Sequence, residues 1–198
     1  EFKPIFMYEY LHRILGRIIG IIFFIPLIYF TLRKAIPLVL IPRLYLLLIL
    51  GGFQGVLGWY MVKSGLVDDP NVSQYRLTAH LGMAVFIYSL ILWTVFDLSL
   101  NYNHAIRSRI KWMSSTLTLL IFLIILSGGL VAGTRAGIPF PTWPLMGDTF
   151  IPPQIYSMNP SWLSAFEDMA TIQFNHRMFA YLLTIFIVIF AIVLLGSN

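Results

Sequence analysis

Hydrophobic residues group into five long segments separated by shorter polar stretches. Each segment reaches the roughly 20 residues that an α-helix needs to cross a bilayer. Because a lone strand in lipid could not satisfy its backbone hydrogen bonds, the segments are predicted to be transmembrane helices. They run over Tyr10–Leu32, Arg43–Val62, Arg76–Leu98, Ile110–Gly133 and Thr171–Leu195. The pattern therefore predicts an all-α integral membrane protein.

Composition agrees with membrane insertion. The 198 residues are 59% hydrophobic and 11% charged, whereas a soluble domain carries about a quarter charged residues. Cysteine is absent, which excludes disulfides, thiolate metal sites and cysteine nucleophiles. The net charge of +5 does not indicate nucleic-acid binding, because the basic residues lie in short loops between apolar segments. Lipid is the expected surrounding.

Loop charge gives an orientation. The first and third loops between helices contain Lys and Arg but no acid, whereas the second and fourth loops mix both signs. Under the positive-inside rule, the first and third loops face the cytoplasm or the mitochondrial matrix. The N-terminal segment and the other two loops are then predicted to face outward.

Three histidines lie at the outward ends of predicted helices: His12, His80 and His176. An ionisable group at such a position is costly, so each is a candidate functional residue. Histidine is well suited to bind a metal or haem iron there. The alternative is a hydrogen-bonded polar residue at the membrane interface. His104 lies in the third loop, at the opposite face, and is predicted to be solvated.

Small residues accompany these histidines. One turn below them, on the same helix face, are Gly16, Ala84 and Ala180 respectively. A flat porphyrin needs such space, although small residues also let helices pack closely in lipid. The second and fourth helices are glycine-rich near their outer ends, at Gly51, Gly52, Gly55, Gly58, Gly128, Gly129 and Gly133. These glycines indicate either tight helix contacts or a wall for a flat ring. Gln54, among them, is predicted to hydrogen-bond between helices.

Charged residues near the histidines are further candidates. Glu9 lies three residues before His12, so a helix that extends back to it would place the carboxylate beside the imidazole. It would serve as a base or stabilise a developing positive charge; the alternative is a helix N-terminal acid favoured by the macrodipole. Arg13, Arg17 and Arg177 are candidates to bind haem propionates, or alternatively to anchor helix ends.

Two longer-range features complete the pattern. The fourth loop, residues 134–170, is rich in proline and aromatic residues, and is predicted to be an ordered lid or part of an interfacial aromatic belt. Glu9…His12-Arg13 and Gln173…His176-Arg177 repeat one motif at two outward helix starts. A parallel duplication would produce that repeat.

Six motifs together resemble haem A synthase in its proteobacterial and mitochondrial form. They are Glu9-Tyr10-Leu11-His12-Arg13, the run from Gln54 to Leu66, the run from Tyr75 to Gly82, Val131-Ala132-Gly133, Thr142-Trp143-Pro144-Leu145-Met146 and Phe174-Asn175-His176-Arg177. The resemblance implies an eight-helix protein built from two pseudo-symmetric four-helix bundles. Residues 1–105 would belong to the N-terminal bundle and residues 106–198 to the C-terminal one. The chain would lack the first helix and the last two.

The resemblance also implies a function. The family oxidises the C8 methyl group of haem O to the formyl group of haem A, which terminal oxidases use. Carried over, His12 and His80 would bracket the substrate haem and Glu9 would be the catalytic acid. His176 would bind a haem b whose second ligand lies on a missing helix, so this fragment is expected to be inactive alone. The implied location is the bacterial plasma membrane or the mitochondrial inner membrane, with haem O synthase, oxidase assembly factors or a second copy as partners.

Departures and alternatives remain. Some family members carry a cysteine pair ahead of the first helix of this chain, and the stretch Gly137–Pro141 differs from the family pattern. The alternative function is a dihaem b-type cytochrome that only transfers electrons, which the outward position of all three histidines disfavours. A transporter would share the parallel repeat, but Asp97 is the sole acid deep within a predicted helix and lies near its inner end.

Overall fold

The computed structural model describes residues 2–63, 72–100 and 107–196, with side chains from residue 6 onward. Within these ranges five long helices are long and apolar enough to cross a membrane. In chain order the helices are α1 (Phe2–Leu32), α2 (Ile41–Lys63), α3 (Gln74–Ser99), α4 (Ser108–Thr134), the short α5 (Ser164–Glu167) and α6 (Met169–Leu195). The predicted all-α membrane architecture is confirmed.

Helix starts differ from the prediction because capping and first-turn chemistry do not follow hydrophobicity. α1 begins at Phe2, well before the predicted Tyr10. Pro4 falls in its first turn, where backbone amides need no partner within the helix. α6 begins at Met169 because Asp168 caps it: the carboxylate accepts a hydrogen bond from the Thr171 amide at 2.8 Å.

The long helices pack in sequence order, α1 on α2, α2 on α3, α3 on α4 and α4 on α6, and α3 with α4 forms the most extensive pair. Two α4 glycines permit that pair. A Cβ atom on Gly129 would lie 2.8 Å from Thr78 Oγ1, and one on Gly133 would lie 2.5 Å from Gln74 Cα. For these two glycines, tight helix contact is the correct interpretation.

At the inner end, Arg43 at the start of α2 donates a hydrogen bond to Asp97 near the end of α3, at 2.8 Å. Both side chains are more than one third exposed, so this ion pair contributes little stability. The ion pair nevertheless gives Asp97, the one acidic residue of α3, a partner of opposite charge. The predicted boundary between the two bundles, at residue 105, lies outside the described residues.

Candidate haem site

The three candidate histidines lie at the same end of the helix bundle. His80, near the start of α3, packs beside the C-terminal half of α2, where a Cβ atom on Gly58 would touch its ring. His176, near the start of α6, lies beside Gly128 in the last turns of α4. His12 lies close enough to His80 for the charges on the two imidazoles to interact. The end-of-bundle placement predicted from loop charge is therefore observed.

His80 has a tight and partly unsatisfied environment. A Cβ atom on Gly58 would lie 3.0 Å from its Cε1 atom, so the ring occupies space that only glycine leaves free. Gln54 Nε2 donates a hydrogen bond to the His80 carbonyl oxygen at 3.0 Å, which confirms the predicted contact between helices. Nδ1 of His80 and Oε1 of Gln54 are buried and have no hydrogen-bond partner among the described residues. Buried polar atoms are normally satisfied. Because protein covers both atoms, a ligand of this imidazole would have to bind through its other ring nitrogen, Nε2.

A cleft separates His12 from His80. α1 packs against α2, and α2 packs against α3, but among the described residues α1 and α3 share no extensive contact. Both Gly16 and Gly20, below His12, have no atom within 4 Å of the position that a Cβ atom would take. The arrangement leaves open space at Gly16 and Gly20, on the helix that carries His12. A flat ring that is bound from both faces needs this geometry.

Glu9 lies well inside α1, since the helix begins at Phe2. The interpretation as a helix N-terminal acid is therefore wrong, because the macrodipole acts only within the first turn. The Glu9 carboxylate accepts a hydrogen bond from Arg13 at 3.0 Å, one helical turn further on. Both side chains are about half exposed, so the carboxylate remains accessible. If Arg13 binds a haem propionate, its guanidinium must contact the propionate and Glu9 together. This contact with a propionate stays a prediction.

His176 is held differently from His80. Its Nδ1 atom lies 3.1 Å from Ser127 Oγ on α4, and a Cβ atom on Gly128 would lie at an ordinary contact distance of 3.5 Å from its Cε1 atom. A hydrogen bond at Nδ1 leaves Nε2 available for a metal and fixes the plane of the ring. Sequence reasoning missed Ser127; the available signal was a polar residue directly before two glycines in an apolar helix.

The loop between α4 and α6 is ordered and anchored to α6 on both sides of this histidine. Arg177 donates hydrogen bonds to the carbonyl oxygens of Phe140, at 2.7 Å, and Leu145, at 3.1 Å. The Tyr156 hydroxyl donates to Asn175 Oδ1 at 3.0 Å. The prediction of an ordered loop is therefore confirmed. Arg177 uses two of its N–H groups in these hydrogen bonds to the loop backbone. Its contact with a haem propionate stays a prediction.

The same loop also reaches α3. Glu167, in α5, accepts hydrogen bonds from Gln74 Nε2, at 2.9 Å, and from the Tyr75 hydroxyl. One loop thus braces the helix that carries His80 and the helix that carries His176. Trp143 and Trp162 of this loop are 75% and 63% exposed, which agrees with the alternative that its tryptophans form an interfacial belt.

No cluster of three or more His, Asp or Glu side chains that could hold a bare metal ion occurs within the described residues. Haem needs fewer protein ligands, because the porphyrin supplies the four equatorial nitrogens and the protein adds one or two axial ones. Histidines near the outer ends of neighbouring helices, with glycines against two of the imidazoles, match that requirement.

Comparison with known proteins agrees with this chemistry. The family model described as cytochrome oxidase assembly protein, COX15-CtaA, matches residues 1–198. A protein of Nitrosospira multiformis named "Heme A synthase" is 49% identical over 195 residues, which cover 96% of this chain and 54% of that protein. Proteins of the same name from Parvibaculum lavamentivorans and Wolbachia pipientis wMel are 46% and 39% identical, over 95% and 97% of this chain and 55% and 56% of their own lengths. No solved structure matches significantly.

Proposed function

Because this chain belongs to the COX15-CtaA family of cytochrome oxidase assembly proteins, we propose that it forms part of an enzyme that oxidises haem O to haem A. The chain spans about half the length of the relatives it matches. We further propose that it acts in the bacterial plasma membrane or the mitochondrial inner membrane. Haem O synthase, oxidase assembly factors or a second copy would be its partners there. The supporting observation is that His12 lies near His80 while the helices that carry them, α1 and α3, share no extensive contact among the described residues.

Each residue of the site has a proposed task. His12 and His80 hold the substrate haem from opposite faces, and the glycine wall of α2 keeps the His80 ring in place. His176, oriented by Ser127, holds a resident haem b. A bound haem supplies an iron centre that can accept and release electrons. Glu9 accepts a proton, or stabilises positive charge, at the edge of the substrate site.

A dihaem cytochrome that only relays electrons is the competing function. Its haems would be expected near opposite membrane faces, so that electrons cross the bilayer. All three candidate ligands lie instead at one end of the bundle, which favours chemistry at one face.

Pigment extraction separates these two functions. The complete gene product, co-expressed with a haem O supply and then purified, is expected to yield haem A together with haem B. A preparation that yields haem B alone, despite an abundant haem O supply, would support the relay and contradict the oxidation.

Gly58→Ala tests the wall behind His80. The added methyl group would lie 3.0 Å from the imidazole, so the ring must shift, and we expect substrate haem to bind about tenfold more weakly. Titration followed at the Soret band measures the change. Gly52→Ala is the matched control, because a Cβ atom there meets nothing within 4 Å; equal affinities in the two variants would reject the role of Gly58.

Ser127→Ala tests the orientation of His176. Loss of the hydroxyl removes the acceptor for Nδ1–H, and we expect retention of haem b to fall by about tenfold, with a rise in its midpoint potential. Redox titration of the purified protein measures both. Ser127→Thr keeps the hydroxyl and should preserve the wild-type potential, and an unchanged potential in Ser127→Ala would rule out a hydrogen bond to an iron ligand.

A further inference from the structure

An apolar cavity of about 400 Å³, open to the surface over much of its extent, lies at the inner ends of α1 and α2. Phe23, Leu27 and Phe30 of α1 line one side, and Leu44 of α2, with Leu40 just before that helix, lines the other. Ala35, an exposed residue of the loop between the helices, lies at the rim. No polar side chain is among its lining residues, so the cavity suits an apolar group without hydrogen-bonding capacity.

The α1 wall of the cavity continues the helix face that carries His12. Phe23, Leu27 and Phe30 follow His12 by 11, 15 and 18 residues. At roughly 100° per residue they are rotated from it by about 20°, 60° and 0°. With a rise of 1.5 Å per residue, Phe23 and Leu27 lie about 16 Å and 22 Å below His12.

The α2 wall shows the same alignment. Leu44 precedes Gly58, whose Cβ position adjoins the His80 ring, by 14 residues. The corresponding rotation is about 40°. Both helices therefore place the cavity directly beneath the candidate substrate site.

The stretch between site and cavity is open. Gly16 and Gly20 on α1, and Gly51 and Gly55 on α2, fall between the two levels within about 80° of the faces just described. At each of these glycines, a Cβ atom would meet no other atom within 4 Å. All four glycines are exposed, so none of them places a side chain in the way of a slender chain that runs from the His12–His80 site to the cavity.

We propose that the cavity binds the farnesyl chain of the substrate haem. The proposal rests on the function proposed above and names which part of the substrate each region takes. Haem O differs from haem B by a hydroxyethylfarnesyl group on the ring edge away from the propionates. With the propionates at the outer end, this long apolar chain points down the open stretch, and its extended length is comparable with the distance to Phe23 and Leu27.

The cavity acts more on orientation than on affinity. Lipid tails are as apolar as the cavity lining, so moving the chain from lipid into the cavity gains packing contacts but little hydrophobic energy. A seated chain prevents the flat ring from rotating in its plane between the two histidines. It thereby presents one fixed edge of the ring to Glu9.

The test is a pair of titrations on the complete gene product, purified with its resident haem and titrated separately with haem O and haem B at the Soret band. Wild-type protein is expected to bind haem O roughly five- to tenfold more tightly than haem B. Gly51→Leu, which blocks the open stretch, should reduce this preference to about one while haem B affinity stays unchanged. Gly52→Leu is the matched control, because Gly52 is adjacent to Gly51 but is rotated by about 120° from the helix face of Gly58.

A second variant, Ala35→Phe, adds a ring at the rim of the cavity from the loop rather than from either helix; it should also abolish the preference. Equal binding of haem O and haem B by wild-type protein would overturn the farnesyl site but not the proposed function. An undiminished preference for haem O in both Gly51→Leu and Ala35→Phe would do the same, and it is the result expected if lipid occupies the cavity. Failure of wild-type protein to bind either added haem would overturn the proposed function as well.

Discussion

Replacing Glu9 with Gln is expected to abolish haem A formation while haem remains bound. The amide keeps the size and the hydrogen-bonding reach of the carboxylate but cannot accept a proton or carry negative charge. Loss of a positioned acid–base group typically lowers a rate by about 10²- to 10⁴-fold. Haem binding should persist, because the Glu9 carboxylate contacts Arg13 and neither histidine depends on it for position. Pigment extraction, with haem content measured on the same sample, shows both effects.

Asp148→Asn is the matched control for this substitution. Asp148 is an exposed carboxylate in the loop at the same end of the bundle, and its neutralisation should leave the haem A yield unchanged. A wild-type yield of haem A from Glu9→Gln would remove Glu9 from the chemistry. Loss of bound haem in that variant would instead make Glu9 a binding residue.

The second large effect is expected from the histidines. His12→Ala and His80→Ala should each lose haem O and haem A from the purified protein and keep haem B, because one axial ligand and one wall of the cleft disappear. His176→Ala should lose the resident haem B. The three variants therefore differ in the pigment that they lose, and extraction of each pigment separates the two sites.

His104→Ala controls for the general effect of removing a histidine. His104 lies outside the described residues, and the charge pattern predicts that it is at the opposite face of the membrane, so its replacement should leave both pigments in place. Loss of the same pigment from all three site variants would contradict two separate haem sites.

Helix number and type were predictable because lipid imposes a simple rule on the apolar segments. Helix starts were less predictable, because they depend on local chemistry. Asp168 caps α6 through a carboxylate contact that hydropathy does not record. The early start of α1 mattered most, since it moved Glu9 from a presumed helix terminus into the helix body.

The candidate ligands were visible in the sequence, but their surroundings were not. His12, His80 and His176 stand out as ionisable residues at helix ends, and spacing identified the small residues beneath them on their own helices. Contacts from neighbouring helices depend on how the helices rotate and pack against each other. Gly58 against one imidazole is such a contact, as is Ser127 against another.

Glycine-rich helix segments illustrate the same limit. Sequence alone left two interpretations open, close helix packing or a wall for a flat ring. The structure shows close contact with neighbouring helices at four of them: Gly129 and Gly133 accommodate α3, and Gly58 and Gly128 lie against imidazoles of α3 and α6. A wall for a porphyrin stays a prediction. Neighbouring residues of one helix thus serve different purposes, because a rotation of about 100° per residue turns them toward different partners.

We expect His12 and His80 to hold one haem between them. An experimental structure of the complete gene product with haem O bound tests this arrangement most directly, through the distances from the iron to the ring nitrogens of both histidines. One nitrogen of each imidazole should coordinate the same iron, with the farnesyl chain directed toward Phe23 and Leu27. A haem O whose iron is coordinated by neither histidine, or bound outside the cleft between α1 and α3, would contradict it.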